Sequence, residues 1–450
     1  MSAERSARTV RQADGLEPVR ALQRVLYRSA KQDPARRFHA LYDKLARSDV
    51  MWRAWADVAT NAGAPGVDGV TIDAVKAEGA AGVGRFLEQL AAELRAKTYQ
   101  PRPLRRVYIP KAGDPRGKPS RPLSVPTVRD RVVMAAAKIV LEPIFEADFS
   151  PSSFGVRPKR SAHQALEAVR VAANRGAQRV LDADIKSCFS EIDHQALVAL
   201  VERRVVDRQM VKLLKSWLRA GVFEGGVVSG AEAGTPQGSP VSPLMANIAL
   251  HVLDQAWAAT GWRLGTLARY CDDFVVICPT QERAEQARDL AAATLASLGL
   301  RLHPDKTRVV CLRDGQEGFD FLGFHHRMVE SWKRPGRYYL QKWPSRRAMA
   351  SIRAKVREVT PRGYASFEMA TVVEILNPVL RGWGTYFRYG NSSRKFNAID
   401  GYVHRRLAKL ASVKHGISGR NWATRFTYGW LTDLGVYRLT GTVRYWAANA

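Results

Sequence analysis

The 450-residue chain predicts an α+β fold in several parts: helices around an antiparallel sheet, then a helical, basic C-terminal region. Three observations carry this expectation. RVLDADIKSCF (179–189) and FVVIC (274–278) have the length, the bounding turn residues and the β-branched content of strands. Longer segments with helical period are interleaved with them. The composition then changes near residue 327. Over residues 330–450, 22 Lys and Arg stand against six acids, and six of the 11 Trp and nine of the 14 Tyr fall there.

The elements follow in order. Residues 1–50 are polar and helix-prone, with an apolar rhythm through Leu22, Val25, Leu26, Phe38, Leu41 and Leu45. NAGAPGVDGVTID (61–73) reads as a loop able to pass close to a ligand. An amphipathic helix follows over 85–97, with Phe86, Leu87, Leu90 and Leu94 apolar. Residues 97–131 hold ten basic residues against Asp114 and Asp130, and RRVYIPKAGDPRGKPSRPLSVP turns at GDPRG. That segment reads as a basic hairpin suited to gripping phosphates. VVMAAAKIVLEPIFEA (132–147) is a buried helix, and SAHQALEAVRVAANRG (161–176) a helix with Ser161 and Gln164 as capping box and Gly176 as stop. The strand 179–189 carries Asp182 and Asp184, and 196–220 is helical. GTPQGSPVSP (234–243) is a loop opening into the apolar helix LMANIALHVLD, after which come strand–turn–strand around Asp272 and Asp273, a helix over 282–298, and LRLHPDKT. In SRRAMASIRAKVREV (345–359), Met349, Ile352, Val356 and Val359 share one face while Arg346, Arg347, Arg353 and Arg357 lie elsewhere, an amphipathic basic helix.

Composition narrows the function classes. A hydrophobic fraction of 46% is globular, and a net charge of +28 with pI ≈ 10.3 calls for a polyanion. Nucleic acid is the natural one, because cations that neutralise phosphates gain free energy through counterion release. Basic residues interleaved with aromatics suit RNA, whose exposed bases stack on rings. The four cysteines form no CxxC pair, which argues against zinc knuckles and disulfide frameworks and fits a reducing cytoplasm. The N-terminus has no apolar signal core, and no apolar run of ~18 residues suggests a membrane span.

The chemistry concentrates at Arg269-Tyr270-Cys271-Asp272-Asp273. Two carboxylates at a hairpin tip can hold divalent cations, because hard ions take oxygen ligands. An Asp pair in a turn is by itself ordinary turn chemistry, so the weight rests on its surroundings. Two-metal phosphoryl transfer needs a further carboxylate, and Asp184 supplies one. Strand, helix and strand–turn–strand with acids at these places resemble a polymerase palm, with Asp184 and Asp272 as metal ligands and Asp273 assisting.

RPLSVPTVRDRVVMAAAKIVLEPIFEADFSPSSFGVRPKRSAHQAL, VLDADIKSCFSEIDH, GTPQGSPVSPLMANIALHVLD, RYCDDF, LHPDKT and FDFLGF occur in that order. Together they resemble the successive blocks of the group II intron reverse transcriptase/maturase family, from about residue 20 to the C-terminus. The resemblance implies a right-hand polymerase, with fingers, a palm with an antiparallel sheet and a helical thumb, followed by a helical basic maturase domain. It divides the chain into an N-terminal extension (1–80), fingers and palm (81–327), thumb (328–370) and maturase domain (371–450). It implies an RNA-directed DNA polymerase, a nucleotidyltransferase, that also binds its host intron RNA to assist splicing and retrohoming by target-primed reverse transcription. Asp184, Asp272 and Asp273 match the catalytic, metal-binding carboxylates for two Mg2+ ions, with Mn2+ as an alternative. Phe189 matches the bulky residue that blocks a 2′-hydroxyl, Gln237 a residue lining the incoming-nucleotide pocket, Arg121 and Lys111 triphosphate contacts, and Lys306 the palm lysine near the phosphates. Residues 61–73 resemble the loop that covers the template. LNPVLRGWGTYFRYG resembles the core of the maturase segment. Arg381, Trp383, Tyr386 and Arg388 there, with Arg346, Arg347 and Arg353 of the preceding basic helix, are the RNA-contact candidates, while Trp383 and Phe387 are as well explained by packing. Expected partners are structured intron RNA, an RNA template with DNA primer, target DNA and dNTPs, with a homodimer left open and no membrane. The expected place is a bacterial cytoplasm, on the nucleoid when DNA is engaged.

The chain departs from the family pattern in places. Cys271 stands where Ala is commoner and puts an oxidisable thiol beside the metal site. Val156 replaces a usual Phe, and Ser190 an acid. Nothing after residue 420 resembles an HNH endonuclease, so the expectation is a primer from elsewhere, such as nascent strands at a replication fork. Two other readings are a domesticated relative in phage defence or spacer acquisition, and a splicing-only RNA-binding maturase. The intact aspartates argue against the second.

Overall fold

The computed structural model describes residues 2–445 except 111–118, 225, 231–233, 235–237 and 418–421. Among these are eleven strands in three sheets. In chain order they are β1 (Leu104–Pro110), β2 (Pro119–Val125), β3 (Arg179–Asp184), β4 (Val222–Glu224), β5 (Val227–Ser229), β6 (Thr266–Tyr270), β7 (Asp273–Cys278), β8 (Arg308–Cys311), β9 (Gly318–Phe321), β10 (Phe324–Ser331) and β11 (Arg334–Pro344).

β1 and β2 form the expected antiparallel hairpin, with Arg105 opposite Val125 and Ile109 opposite Arg121. β4 adds to β1 in parallel, and β5 pairs antiparallel with β4. The 61–71 loop is tied down beside this sheet. Arg131 Nη2 donates to the Ala64 carbonyl (2.7 Å) and Arg105 Nε to the Pro65 carbonyl (3.0 Å).

The palm sheet, in the order β6-β7-β3-β8, is antiparallel throughout. Its two faces feed different cores. Leu181, Ala183, Phe274 and Val276 enter one shared with helices Ser48–Thr60, Gly79–Ala96, Val128–Glu146, Ser242–Ala259 and Gln281–Ala296. Val180, Ala268, Val275 and Ile277 enter the other. Side chains alternate in direction along a strand, and burial on both faces is why 274–278 reads as an unbroken apolar run.

The second core continues through helix Ala162–Ala173, the sheet β9–β11, and helices Arg346–Glu358, Met369–Phe387 and Ser393–Lys414. Ser161 caps helix Ala162–Ala173 in the capping box its sequence announces. The stretch 328–370, expected as a helical thumb, differs at its start: it opens on sheet and turns helical from Arg346. The reason is a period of two, with Phe324, His326, Leu340 and Lys342 buried and His325 and Gln341 less so. The boundary expected after residue 327 thus falls inside β10, and the one after 370 inside helix Met369–Phe387. Among the described residues no helix is long and apolar enough to cross a membrane.

Candidate active site

Asp184 ends β3, Asp273 begins β7, and the strand register sets them directly opposite each other. Asp272 lies in the two-residue turn Cys271–Asp272 that joins β6 to β7, closed by the Tyr270–Asp273 pair. Cys271 takes a left-handed φ of 58°. Side chains disfavour that conformation, so the surroundings must hold it.

Arg269, wholly buried in β6, does so. Its Nη1 donates to the Cys271 carbonyl (3.0 Å) and to Asn247 Oδ1 (3.2 Å). Its Nη2 donates to Ser153 Oγ (2.8 Å) and Asp254 Oδ2 (2.6 Å), and its Nε to Asp254 Oδ1 (2.8 Å). The five donors of a guanidinium are therefore all used. Burial alone would raise the Asp254 carboxyl, but the Arg269 charge and hydrogen bonds, with help from His251, hold it below its ordinary value. Gly155 supports the turn from beneath: a Cβ there would stand 2.4 Å from Cys271 N. Burial, then the Asp272 charge, pushes the Cys271 thiol up to about 11, which lowers its thiolate fraction at neutral pH.

Sequence reasoning singled out the aspartates but missed Arg269, Asp254, Asn247 and Ser153. A signal existed. Arg269 and Asp254 are lone charges in otherwise apolar segments, LARY and NIALHVLD, and buried charges require partners.

The site is strongly anionic. Burial, then the charges of Asp182, Asp272 and Asp184, raise Asp273 to about 7, with Lys306 opposing. Asp182 is raised to about 6, mainly by burial, with Arg308 at 3.3 Å opposing. Lys306 Nζ pairs with Asp184 Oδ2, and His303 N donates to the Asp184 carbonyl (2.7 Å), fixing the HPDKT segment against the end of β3. Among the described residues no three His, Cys, Asp or Glu side chains are drawn together as a metal cluster. The donor chemistry still fits Mg2+, which keeps several waters and binds through one or two carboxylates plus substrate phosphates.

Asp273 gives a pH prediction. The unfolded carboxyl loses its proton near pH ~3.9, whereas the folded one keeps it until about 7. The folded state binds the extra proton between those values, so metal-free stability falls as pH rises through that window and levels off above it. Asp273→Asn should lessen this fall, the remainder coming from Asp182, which is also raised. Denaturant unfolding in EDTA at pH 5 and 8 checks it, and equal pH dependence in both proteins would refute it.

The nucleotide-pocket candidates are placed unevenly. Phe189 is half-buried on helix Cys188–Glu191. With Leu123 and Gly238–Pro240 it lines one end of a cleft of ≈ 1470 Å³ that reaches back to Arg20, Arg24 and Arg28 of the N-terminal helix. Gly234 presses against the Phe189–Ser190 backbone, where a Cβ would stand 2.7 Å from Ser190 Cα, and Gly234 N donates to the Ile192 carbonyl (2.8 Å). Gly238 borders the same cleft as Phe189. Gln237 and Lys111 lie outside the described residues, and of Arg121 only the backbone, in β2, is described.

The RNA-contact candidates divide. Arg346, Arg347 and Arg381 are exposed, while Arg353 is half-buried. Arg353 lies 5.9 Å from the Tyr402 ring and Arg381 4.6 Å from the Tyr437 ring. The others are engaged within the fold. Trp383 packs on Phe387 and Phe396, with ring centroids at 4.7 and 5.6 Å. Arg388 Nη2 donates to the Tyr389 hydroxyl (3.0 Å). Tyr386 donates its hydroxyl to the Leu322 carbonyl (2.8 Å), and burial, then Tyr270 and Asp273, raise it to about 12. Tyr386 thus brings helix Met369–Phe387 within electrostatic reach of Asp273.

The reverse transcriptase (RNA-dependent DNA polymerase) family matches residues 109–326, which contain the whole β6–β7 hairpin, and the group II intron maturase-specific domain matches residues 349–428. The chain belongs to the group II intron reverse transcriptase/maturase family. This group II reverse transcriptase/maturase is 34% identical to Protein YkfC of Escherichia coli (strain K12), over 71% of this chain and 90% of that protein. It is also 34% identical to the group II intron-encoded protein LtrA of Lactococcus lactis subsp. cremoris, over 53% of this chain and only 39% of LtrA. A partial Cas6-RT-Cas1--Cas2 complex is 24% identical over 57% of this chain and 41% of that one, at a TM-score of 0.35, a likeness too slight to carry an argument. The enzyme activity of the family member is that of an RNA-directed DNA polymerase.

Proposed function

We propose that this polymerase works with two divalent cations, Mg2+ with Mn2+ as the alternative, at Asp184, Asp272 and Asp273, and that it binds its host intron RNA to assist splicing and retrohoming by target-primed reverse transcription. The observation that carries the reading is the in-register meeting of Asp184 and Asp273 at a strand end, with Asp272 on the adjoining turn. Bound cations would stabilise the charge that develops on the phosphoryl oxygens and on the attacking and leaving groups.

The chain's own residues do the positioning. The Arg269 network fixes the turn that carries Asp272 and leads into Asp273. Lys306, beside Asp184, offers a cation to the triphosphate of an incoming dNTP. Phe189 walls the sugar pocket. Exposed Arg346, Arg347 and Arg381 meet RNA phosphates, while Trp383, Tyr386 and Arg388 shape the surface behind them. The RNA template, its DNA primer and the target DNA complete the assembly.

Primer extension on an RNA template with Mg2+ and dNTPs tests the reading. Long products support it. No product, with tight RNA binding retained, overturns it in favour of a splicing-only protein. A second expectation concerns the sugar. Phe189→Ala should raise ribonucleotide incorporation relative to dNTPs by at least about tenfold, the scale on which a cavity discriminates by size. Unchanged selectivity in competition assays would remove Phe189 from that role.

A further inference from the structure

Phe189 stands on a segment that cannot hold itself in place. Helix Cys188–Glu191 is a single turn of four residues, and helices this short do not persist alone. It starts from Ser187, whose φ of 46° is left-handed, a conformation unfavourable for any residue but glycine. Ser190 N and Glu191 N both donate to the Ser187 carbonyl (2.8 and 3.1 Å). The surroundings must therefore fix where Phe189 stands.

Two supports do so. Asp193 N donates to the Leu298 carbonyl (3.2 Å) and Lys186 N to the Arg301 carbonyl (2.9 Å), so residues 298–301 brace the segment at both ends. The second support is Gly234. Its φ is 90°, and a Cβ there would stand 2.8 Å from the Phe189 carbonyl oxygen, so only glycine can come this close. Gly234 is itself held at both of its polar groups by the segment it backs. Its N–H donates to the Ile192 carbonyl (2.8 Å), and its carbonyl accepts from His194 Nε2 (2.6 Å). His194 opens helix His194–Glu202, whose cap Asp193 accepts from Ala196 N (2.7 Å). The imidazole thus projects from a fixed base.

We propose that His194 is a positioning residue for sugar selection: through the Gly234 carbonyl it keeps Phe189 where a ribose 2′-hydroxyl would enter. The inference rests on reading Phe189 as the wall of the sugar pocket, and adds a residue that acts only through that wall. His194 is not among the residues lining the cleft that Phe189 borders. Selection by size is as sharp as the wall is fixed, because small displacements at a site change what it accepts. Without the imidazole, the Gly234 carbonyl loses this donor, and a glycine has no Cβ to limit the backbone movement that follows.

The test uses the full chain as wild type, His194→Ala, His194→Phe, His194→Gln, Phe189→Ala and the double variant Phe189→Ala/His194→Ala. Single-nucleotide primer extension with Mg2+ gives kcat/KM for a dNTP and for the matching ribonucleotide in each preparation. Their ratio does not depend on how much of the protein is folded, so a merely structural role would not move it. His194→Ala should raise relative ribonucleotide use by about three- to tenfold, the scale of one lost hydrogen bond. His194→Phe, which keeps a ring and has no donor, should do the same. His194→Gln, whose amide can donate to the same carbonyl, should restore most of the selectivity. In the double variant the His194 change should add nothing to Phe189→Ala, because both act through one wall. Wild-type selectivity in His194→Ala and His194→Phe, beside relaxed selectivity in Phe189→Ala, would overturn this inference alone. So would additive effects in the double variant. Unchanged selectivity in Phe189→Ala, or no extension by the wild type, would overturn the reading of Phe189 or of the polymerase, and this inference with it.

Discussion

Asp273→Ala abolishes DNA synthesis, lowering primer extension by at least about a thousandfold, the scale on which a lost electrostatic group at a reacting centre is felt. The residue faces Asp184 across the strand pair, so the change removes half of the pair on which the cations would rest. Unfolding is not the expected cause. The Asp273 carboxyl is buried among like charges and raised to about 7, so its removal relieves repulsion and should leave metal-free stability at neutral pH equal or higher. RNA affinity should stay within about twofold, because phosphate binding is spread over many cations. Gel-shift and extension assays on one preparation check both halves. Loss of RNA binding with this single change would sink the separation of roles.

Arg269→Met has the other large effect, and it acts on stability and catalysis together. The substitution strips partners from Asp254, Asn247, Ser153 and the Cys271 carbonyl. Breaking a buried ion pair by removing one member costs about 3–5 kcal/mol. Asp254 is held below its ordinary value in the folded state, so the pair's contribution is intact at neutral pH and is lost only as pH falls through that lowered value. Adding Asp254→Leu removes the stranded charge and should recover much of the stability, since apolar replacements of buried pairs are often neutral. It should not recover activity. The Cys271 carbonyl still lacks its donor, and a misplacement of about 1 Å at a catalytic group can lower turnover by about a hundredfold. Recovery of kcat along with stability in the double variant would show that Arg269 serves the fold and not the placement of the turn.

These two predictions mark what the sequence made legible. The aspartates stand where local patterns set them: an apolar run, a tight turn and a second apolar run fix the hairpin, and the period of two fixes which ends meet. The Ser161 cap and the Met349–Ile352–Val356 face of the basic helix are equally local, and the structure has both. The Arg269 network is not local. It joins residues 15, 22 and 116 positions apart, and no periodicity links them. Only the isolation of charges in apolar segments could have pointed there. Trp383 and Tyr386 show the opposite difficulty. An aromatic in a basic region suits RNA or packing alike, and only the contacts with Phe387, Phe396 and Leu322 place these two inside the fold.

The core that joins the palm sheet to the C-terminal helices has a consequence for how the chain can be divided. Val275 and Ile277 share one apolar interior with Val372, Leu376 and Leu380. A fragment ending after β11 would keep helix Ala162–Ala173 and β9 over that face of the sheet, but it would uncover the part of the core that Val372, Leu376 and Leu380 fill, and the severed helices would expose the matching stripe. The palm sheet and the helices that follow it are therefore not two bodies on a tether, because one apolar interior runs through both.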